Sequence, residues 1–231
     1  MNDVRFKKGE KMQAIIETVF DVCYLTFVIA IGLLMMKKSE KGSQYFLFGI
    51  MAVTLGCGDA FHLVPRMIAL NTTGLENFVF QLGLGKAITS VTMTIFYVIL
   101  YYVWVKRYDI HNKQLTFGVY FLAIARIVLC LFPQNDWFVA GGNMTWAILR
   151  NIPFALMGIL IIVLFMQQVK KTNDKNFRYM ALTIILSFGF YIPVVLWADV
   201  IPLVGMLMIP KTCAYVGSVV IGYNAMKKEG K

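Results

Sequence analysis

The segment GCGDAFHLVPR, residues 56–66, sets Asp59, His62 and Arg66 at spacings of three and four inside a long apolar stretch. In a helix those spacings bring all three to one face. A carboxylate one turn from an imidazole fixes its tautomer and tunes its proton affinity, so Asp59 and His62 together could serve as acid and base, or as two metal ligands. Glu17 and Asp21, four residues apart in another apolar stretch, could complete a ligand set for a divalent ion. Proton transfer is nevertheless the favoured use, because the only other histidine, His111, lies in a polar stretch and a site with several histidines is excluded.

Further ionisable residues stand where apolar ones are expected: Lys86, Arg126, Arg150, Asp199 and Lys211. They come with polar stripes at helical spacing. Glu17, Asp21 and Tyr24 recur at four and three; Lys86, Ser90, Thr94, Tyr97 and Tyr101 recur at four, four, three and four; Lys211, Tyr215 and Ser218 repeat the pattern. Stripes of this kind imply a hydrated or hydrogen-bonded interior.

The elements that must hold these residues are membrane helices. Of 231 residues, 59% are hydrophobic and 15% charged, and the mean hydropathy is +0.69, far from a soluble domain. A bilayer core requires about 20 apolar residues per helix, and the sequence offers seven such spans: 12–36, 44–67, 80–105, 114–133, 146–169, 178–198 and 201–226. The expected fold is all-α, a polytopic integral membrane protein forming one seven-helix transmembrane bundle. The start, MNDVRFKKGEK, leads into a full-length span with no small-residue cleavage site, so a cleavable signal is not expected. Cys23, Cys57, Cys130 and Cys213 lie in different spans without metal-ligand spacing and are expected to be packing residues.

The segments KKSEKGSQ, KRYDIHNK, KKTNDKNFR and KKEGK each hold three or four Lys or Arg, whereas NTTGLEN and PQNDWFVAGGN hold none. The positive-inside tendency then puts the N-terminus outside and the C-terminus in the cytoplasm, in the cell membrane. Against it stand Arg5, Lys7, Lys8 and Lys11 in the N-terminal tail, outweighed by four segments. Thirteen of the 22 basic residues lie in those four segments, so topology and anionic lipid headgroups account for the net charge of +10. Nucleic acid is not an expected partner.

This topology gathers the buried charges by depth. Glu17, Lys86 and Arg150 fall early in odd spans, and Asp59, Arg126 and Asp199 late in even ones, so all are expected in the outer half, with Lys211 nearer the middle. An ionised side chain at the bilayer centre costs about 2.5–3.5 kcal/mol, so nine acids and bases must face inward or pair. A self-neutralising network is one expectation. A charged cavity for a small anionic or zwitterionic ligand is the other, favoured by five bases (Arg66, Lys86, Arg126, Arg150 and Lys211) against four acids. Pro153, Pro193, Pro202 and Pro210, with Gly56, Gly58, Gly83 and Gly85, mark close approaches where backbone can line a site.

Gly58-Asp59-Ala60, the run FQLGLG at 80–85 and Asp199 in WADVIPL resemble the YhhN or lysoplasmalogenase membrane family. The resemblance implies hydrolysis of a lysophospholipid vinyl ether, with Asp59 and Asp199 for acid and base work. In that reading His62 relays the proton, and Lys86, Arg126 and Lys211, among Glu17, Asp21, Arg66, Tyr97, Arg150 and Tyr215, hold the headgroup. A transporter or seven-helix receptor would use the same residues differently, exchanging ion-pair partners on binding. FYIPVVLW at 190–197 and IPKTCAYVG at 209–217 resemble the last two helices of microbial rhodopsins, but Tyr215 stands where that family carries its retinal-bearing lysine, so retinal is not expected. Zinc hydrolases of the ceramidase type need three histidines, which are absent.

Overall fold

A computed structural model of the chain describes residues 2–198 and 200–230, and side chains from residue 11 onward except that of residue 202. The regular elements are all helical: α1 (Asn2–Lys38), α2 (Gln44–Asn71), α3 (Val79–Tyr108), α4 (Lys113–Leu131), α5 (Met144–Thr172), α6 (Met180–Trp197) and α7 (Met208–Lys228). Seven stretches are long and apolar enough to cross a membrane: Lys11–Lys38, Gln44–Asn71, Leu75–Tyr108, Lys113–Leu131, Met144–Thr172, Met180–Trp197 and Leu203–Lys228. Their outward faces carry large apolar residues, among them Phe117 at 72% and Leu131 at 74% exposure, as helices that meet lipid do.

Local signals set the helix ends. Ser43, Asn112 and Asn143 accept hydrogen bonds from first-turn amides of α2, α4 and α5. Asp109 and Asn173, both at φ 51°, end α3 and α5 in the left-handed conformation that short polar residues tolerate. Most helix ends differ by a few residues from the sequence expectation, and three of the differences have a local cause. Helix four stops at Leu131 rather than 133, because Pro133 drives Phe132 into an extended backbone. The α6 helix begins at Met180 rather than 178, since Asp174 ties the amides of Asn176 and Phe177 into a turn. A 3-10 segment, Pro202–Leu207, occupies the expected start of helix seven.

The α2 helix is packed most extensively against α1 and α3, α6 against α7, and α4 and α5 against each other. The α3 helix also touches α4 and α5, and α7 closes the bundle onto α1 and α2. Backbone contact makes the first interface tight: a Cβ on Gly49 would lie 2.7 Å from the Gly32 carbonyl oxygen. Another close approach sets His62, because a Cβ on Gly85 would lie 2.6 Å from the His62 Cα. The core is strongly aromatic, with Tyr24, Phe96, Tyr97, Phe154 and Tyr215 in one contiguous cluster.

Candidate functional site

The polar stripes face one another near one end of the bundle and divide by charge. On the α1–α2 side stand the acids. Glu17 pairs with Arg66, a base that α2 contributes to this side. Asp21, 5% exposed, has an Oδ2 with no hydrogen-bond partner among the described residues. One turn on, the buried Tyr24 hydroxyl donates to Asp59 Oδ2 across 2.6 Å. Glu17, Asp21 and Tyr24 share one face of α1, as their spacing predicts, and Tyr24 joins that face to Asp59 of α2.

The bases stand across from it. Arg126 of α4 is 2% exposed, and among the described residues its Nε and Nη1 have no hydrogen-bond partner. Its guanidinium lies 3.3 Å from the centroid of the Phe154 ring of α5. Lys211 of α7 is buried, with Nζ 4.7 Å from the Tyr191 ring centroid and 5.6 Å from that of Tyr215. Its Nζ also lies 3.9 Å from Met208 Sδ. Lys211 is close enough to act electrostatically on both Asp59 and Arg126. Cation–π contact compensates such charges by about 2 kcal/mol when they are desolvated, less than the several kcal/mol of burial.

Hydroxyls continue from the site along α3, α6 and α7. Tyr97 and Ser187, both buried, meet at 3.4 Å, and Tyr215 reaches the same Ser187. Thr183 and Ser218 are joined at 2.7 Å, and Tyr101 meets Thr116 at 2.8 Å. This line leads toward the basic end of the bundle.

Several expectations require correction. Asp59 and His62 share a face but not a hydrogen bond: His62 Nδ1 lies 3.4 Å from the Leu82 carbonyl, brought close by the α2–α3 contact at Gly85. Lys86, expected to face the interior, is exposed on α3, near enough to His62 to act on it electrostatically. Arg150 has protein partners of its own: it donates to Asn135 Oδ1 at 2.8 Å and stacks over Trp137 at 4.2 Å. Asn135 in turn donates to the Leu129 and Phe132 carbonyls, so Arg150 fastens the end of α4. Glu17 is engaged by Arg66, and among the described residues no three His, Cys, Asp or Glu converge as metal ligands. Asp199 lies outside the described residues.

The expected open cavity between the charges is not among the two hollows described. The smaller, about 160 Å³, is a crevice between α5 and α6, with Asn151, Phe154, Phe188 and Tyr191 in its lining. The larger, about 430 Å³, is at the basic end beside Lys170, Asp174, Lys175 and Arg178.

Sequence reasoning did not find the cluster at that basic end. Arg107 pairs with Asp174 (Nε to Oδ2, 2.5 Å) and with Glu229 (3.1 Å), and its guanidinium lies 3.9 Å from the Phe177 ring centroid. Tyr45 donates to Glu229, Tyr108 to Asp174, and Asn176 to Glu229. Burial by itself would raise the carboxyls of Asp174 and Glu229. Hydrogen bonds from Arg107 and Tyr108 hold Asp174 below its ordinary range, and those from Tyr45, Asn176 and Arg107 do the same for Glu229. The cluster joins α2, α3, the α5–α6 turn and the end of α7. No family model, no curated protein and no solved structure matches the chain, which leaves the site's own geometry to identify its chemistry.

Proposed function

We propose that the chain is an integral protein of the cell membrane, N-terminus outside and C-terminus in the cytoplasm, that binds a zwitterionic amphiphile at its charge-divided site. A lysophospholipid is the ligand class that fits. The observation that carries this reading is two buried groups without hydrogen-bond partners among the described residues, Asp21 Oδ2 beside the other acids and Arg126 Nε and Nη1 among the bases. A buried polar atom without a partner costs about 1–3 kcal/mol, more when charged, and a ligand bearing both signs would relieve both walls together. A headgroup phosphate would lie against Arg126 and Lys211, and its ammonium against Asp21 and Asp59.

The chemistry proposed there is vinyl-ether hydrolysis. Asp59, held by Tyr24, delivers a proton to the outer carbon of the double bond. Water adds to the carbon bearing oxygen and returns a proton to Asp59, and the resulting hemiacetal passes its hydroxyl proton to the ether oxygen as that C–O bond breaks, giving a fatty aldehyde and a glycerophospho-alcohol. The test is aldehyde release from a vinyl-ether lysophosphatidylethanolamine by protein in nanodiscs, beside equilibrium binding of the same lipid. Aldehyde formation that Asp59→Asn abolishes supports hydrolysis. Binding without aldehyde leaves a carrier or sensor, the second reading, which the hydroxyl line through Tyr97, Ser187, Thr183 and Ser218 favours. Absence of binding removes both.

A further inference from the structure

The crevice between α5 and α6 opens on the lipid-facing side, where Ile152 and Ile192 are 49% and 48% exposed. Its inner wall contains Phe154 and Tyr191. Those same two rings lie against the buried cations, Phe154 against the Arg126 guanidinium and Tyr191 against Lys211 Nζ. One layer of aromatic side chains therefore separates the lipid-exposed crevice from an arginine whose Nε and Nη1 have no partner among the described residues.

The layer is weakly fastened and its helices are interrupted. Among the described residues a single side-chain hydrogen bond in the crevice, Tyr191 hydroxyl to Asn151 Oδ1 at 3.2 Å, joins α6 to α5. Pro153 and Pro193 lie inside the two helices at this level, and each removes a backbone hydrogen bond and permits bending there. Gly189, one turn before Pro193, has nothing within 4 Å of where a Cβ would be, so α6 has room to shift on that face.

We infer that the α5–α6 crevice is a lateral doorway through which a single-chain zwitterionic lipid passes from the bilayer to the buried bases. The inference rests on the binding reading above and adds its route. Charge complementarity selects the occupant: the apolar lining accepts one acyl chain, and the phosphate follows toward Arg126 once Phe154 and Tyr191 swing aside. A double-chain lipid is disfavoured by a hollow of only about 160 Å³.

The test measures association rate and equilibrium affinity separately, with lysophosphatidylethanolamine as probe and full-length protein in phosphatidylcholine nanodiscs. Ile152→Trp fills the mouth from an exposed position, which spares the fold, and Ala155→Leu narrows the lining. Both are expected to slow association about tenfold while leaving equilibrium affinity within about threefold, since a doorway alters rates on both sides equally. Tyr191→Phe, which frees the fastening and keeps the ring, is expected to quicken association. Equilibrium binding that Arg126→Met abolishes, with rates untouched by either filling variant, overturns the doorway and leaves the site standing. Rate and affinity falling together likewise overturn it, making the crevice a resting place instead. Binding that is absent in the wild type, or unaffected by Arg126→Met, overturns the site and the doorway with it.

Discussion

The Tyr24 hydroxyl donates to the Asp59 carboxylate across 2.6 Å, linking α1 to α2 at the centre of the acidic wall. This relationship, more than the neighbouring histidine, defines how Asp59 is held. Tyr24→Phe keeps the ring and removes the donor, and is expected to lower stability by about 1–3 kcal/mol. Thermal unfolding in detergent measures it; an unchanged midpoint would mean that solvent already serves Asp59.

The electrostatic partner of Asp59 is Lys211. Asp59→Asn and Lys211→Met should therefore show a coupling of about 0.5–3 kcal/mol in a double-mutant cycle, whereas Asp59→Asn with Lys86→Met should be nearly additive. If the Asp59–Lys211 double variant regains stability and also still binds lysolipid, the two charges serve only to orient the bundle. Loss of binding with stability retained assigns them to the ligand.

Arg126 gives an expectation of opposite sign. Its desolvation costs several kcal/mol, and the Phe154 ring returns about 2 kcal/mol, so a buried Arg126 without an anion is a net burden on the fold. Arg126→Met is expected to leave the melting temperature unchanged or raise it, by up to about 4 kcal/mol in stability, while lysolipid binding is lost. A clear destabilisation would show that the guanidinium already has its counter-charge in the resting protein.

These two walls were partly legible in the sequence. The spacing of Glu17, Asp21 and Tyr24, and of Thr94, Tyr97 and Tyr101, gives their shared faces directly, because helical periodicity survives any choice of partner. Partner choice itself was not legible. His62 and Asp59 stand one turn apart, yet Gly85 lets α3 approach so closely that the Leu82 carbonyl reaches the imidazole. Arg150 likewise counts as an intramembrane base until Asn135, in the short 3-10 turn Pro133–Asn135 after α4, is seen to claim it. At the other end, Arg107, Asp174 and Glu229 are ordinary members of basic and polar segments, and only the chain's return through seven helices brings them together.

That cluster predicts a structural role away from the lipid site. Arg107 and Asp174 have side chains only 10% and 9% exposed, so removing the cation leaves a largely buried carboxylate without its partner. Arg107→Gln is expected to cost about 3 kcal/mol. Lysolipid affinity of the folded fraction should be unchanged, since the cluster is at the opposite end of the bundle. Thermal unfolding read beside binding at a temperature well below the transition checks both halves, and a weakened affinity would tie this end to the site.

Acid should act through the same cluster. Asp174 and Glu229 have ordinary values of 3.8 and 4.5 and are both held lower in the folded protein, so folding binds fewer protons than unfolding does. Their contribution is fully present above those ordinary values and is lost as pH falls through the lower, folded ones. Asp174 should dominate, because Glu229 has a side chain 30% exposed and its interaction is screened by solvent. The melting temperature is therefore expected to be flat with respect to these groups near neutrality and to drop below about pH 4. Asp174→Asn should flatten that acid limb while lowering stability at pH 7. An acid limb of undiminished slope in Asp174→Asn would place the titrating groups elsewhere in the chain.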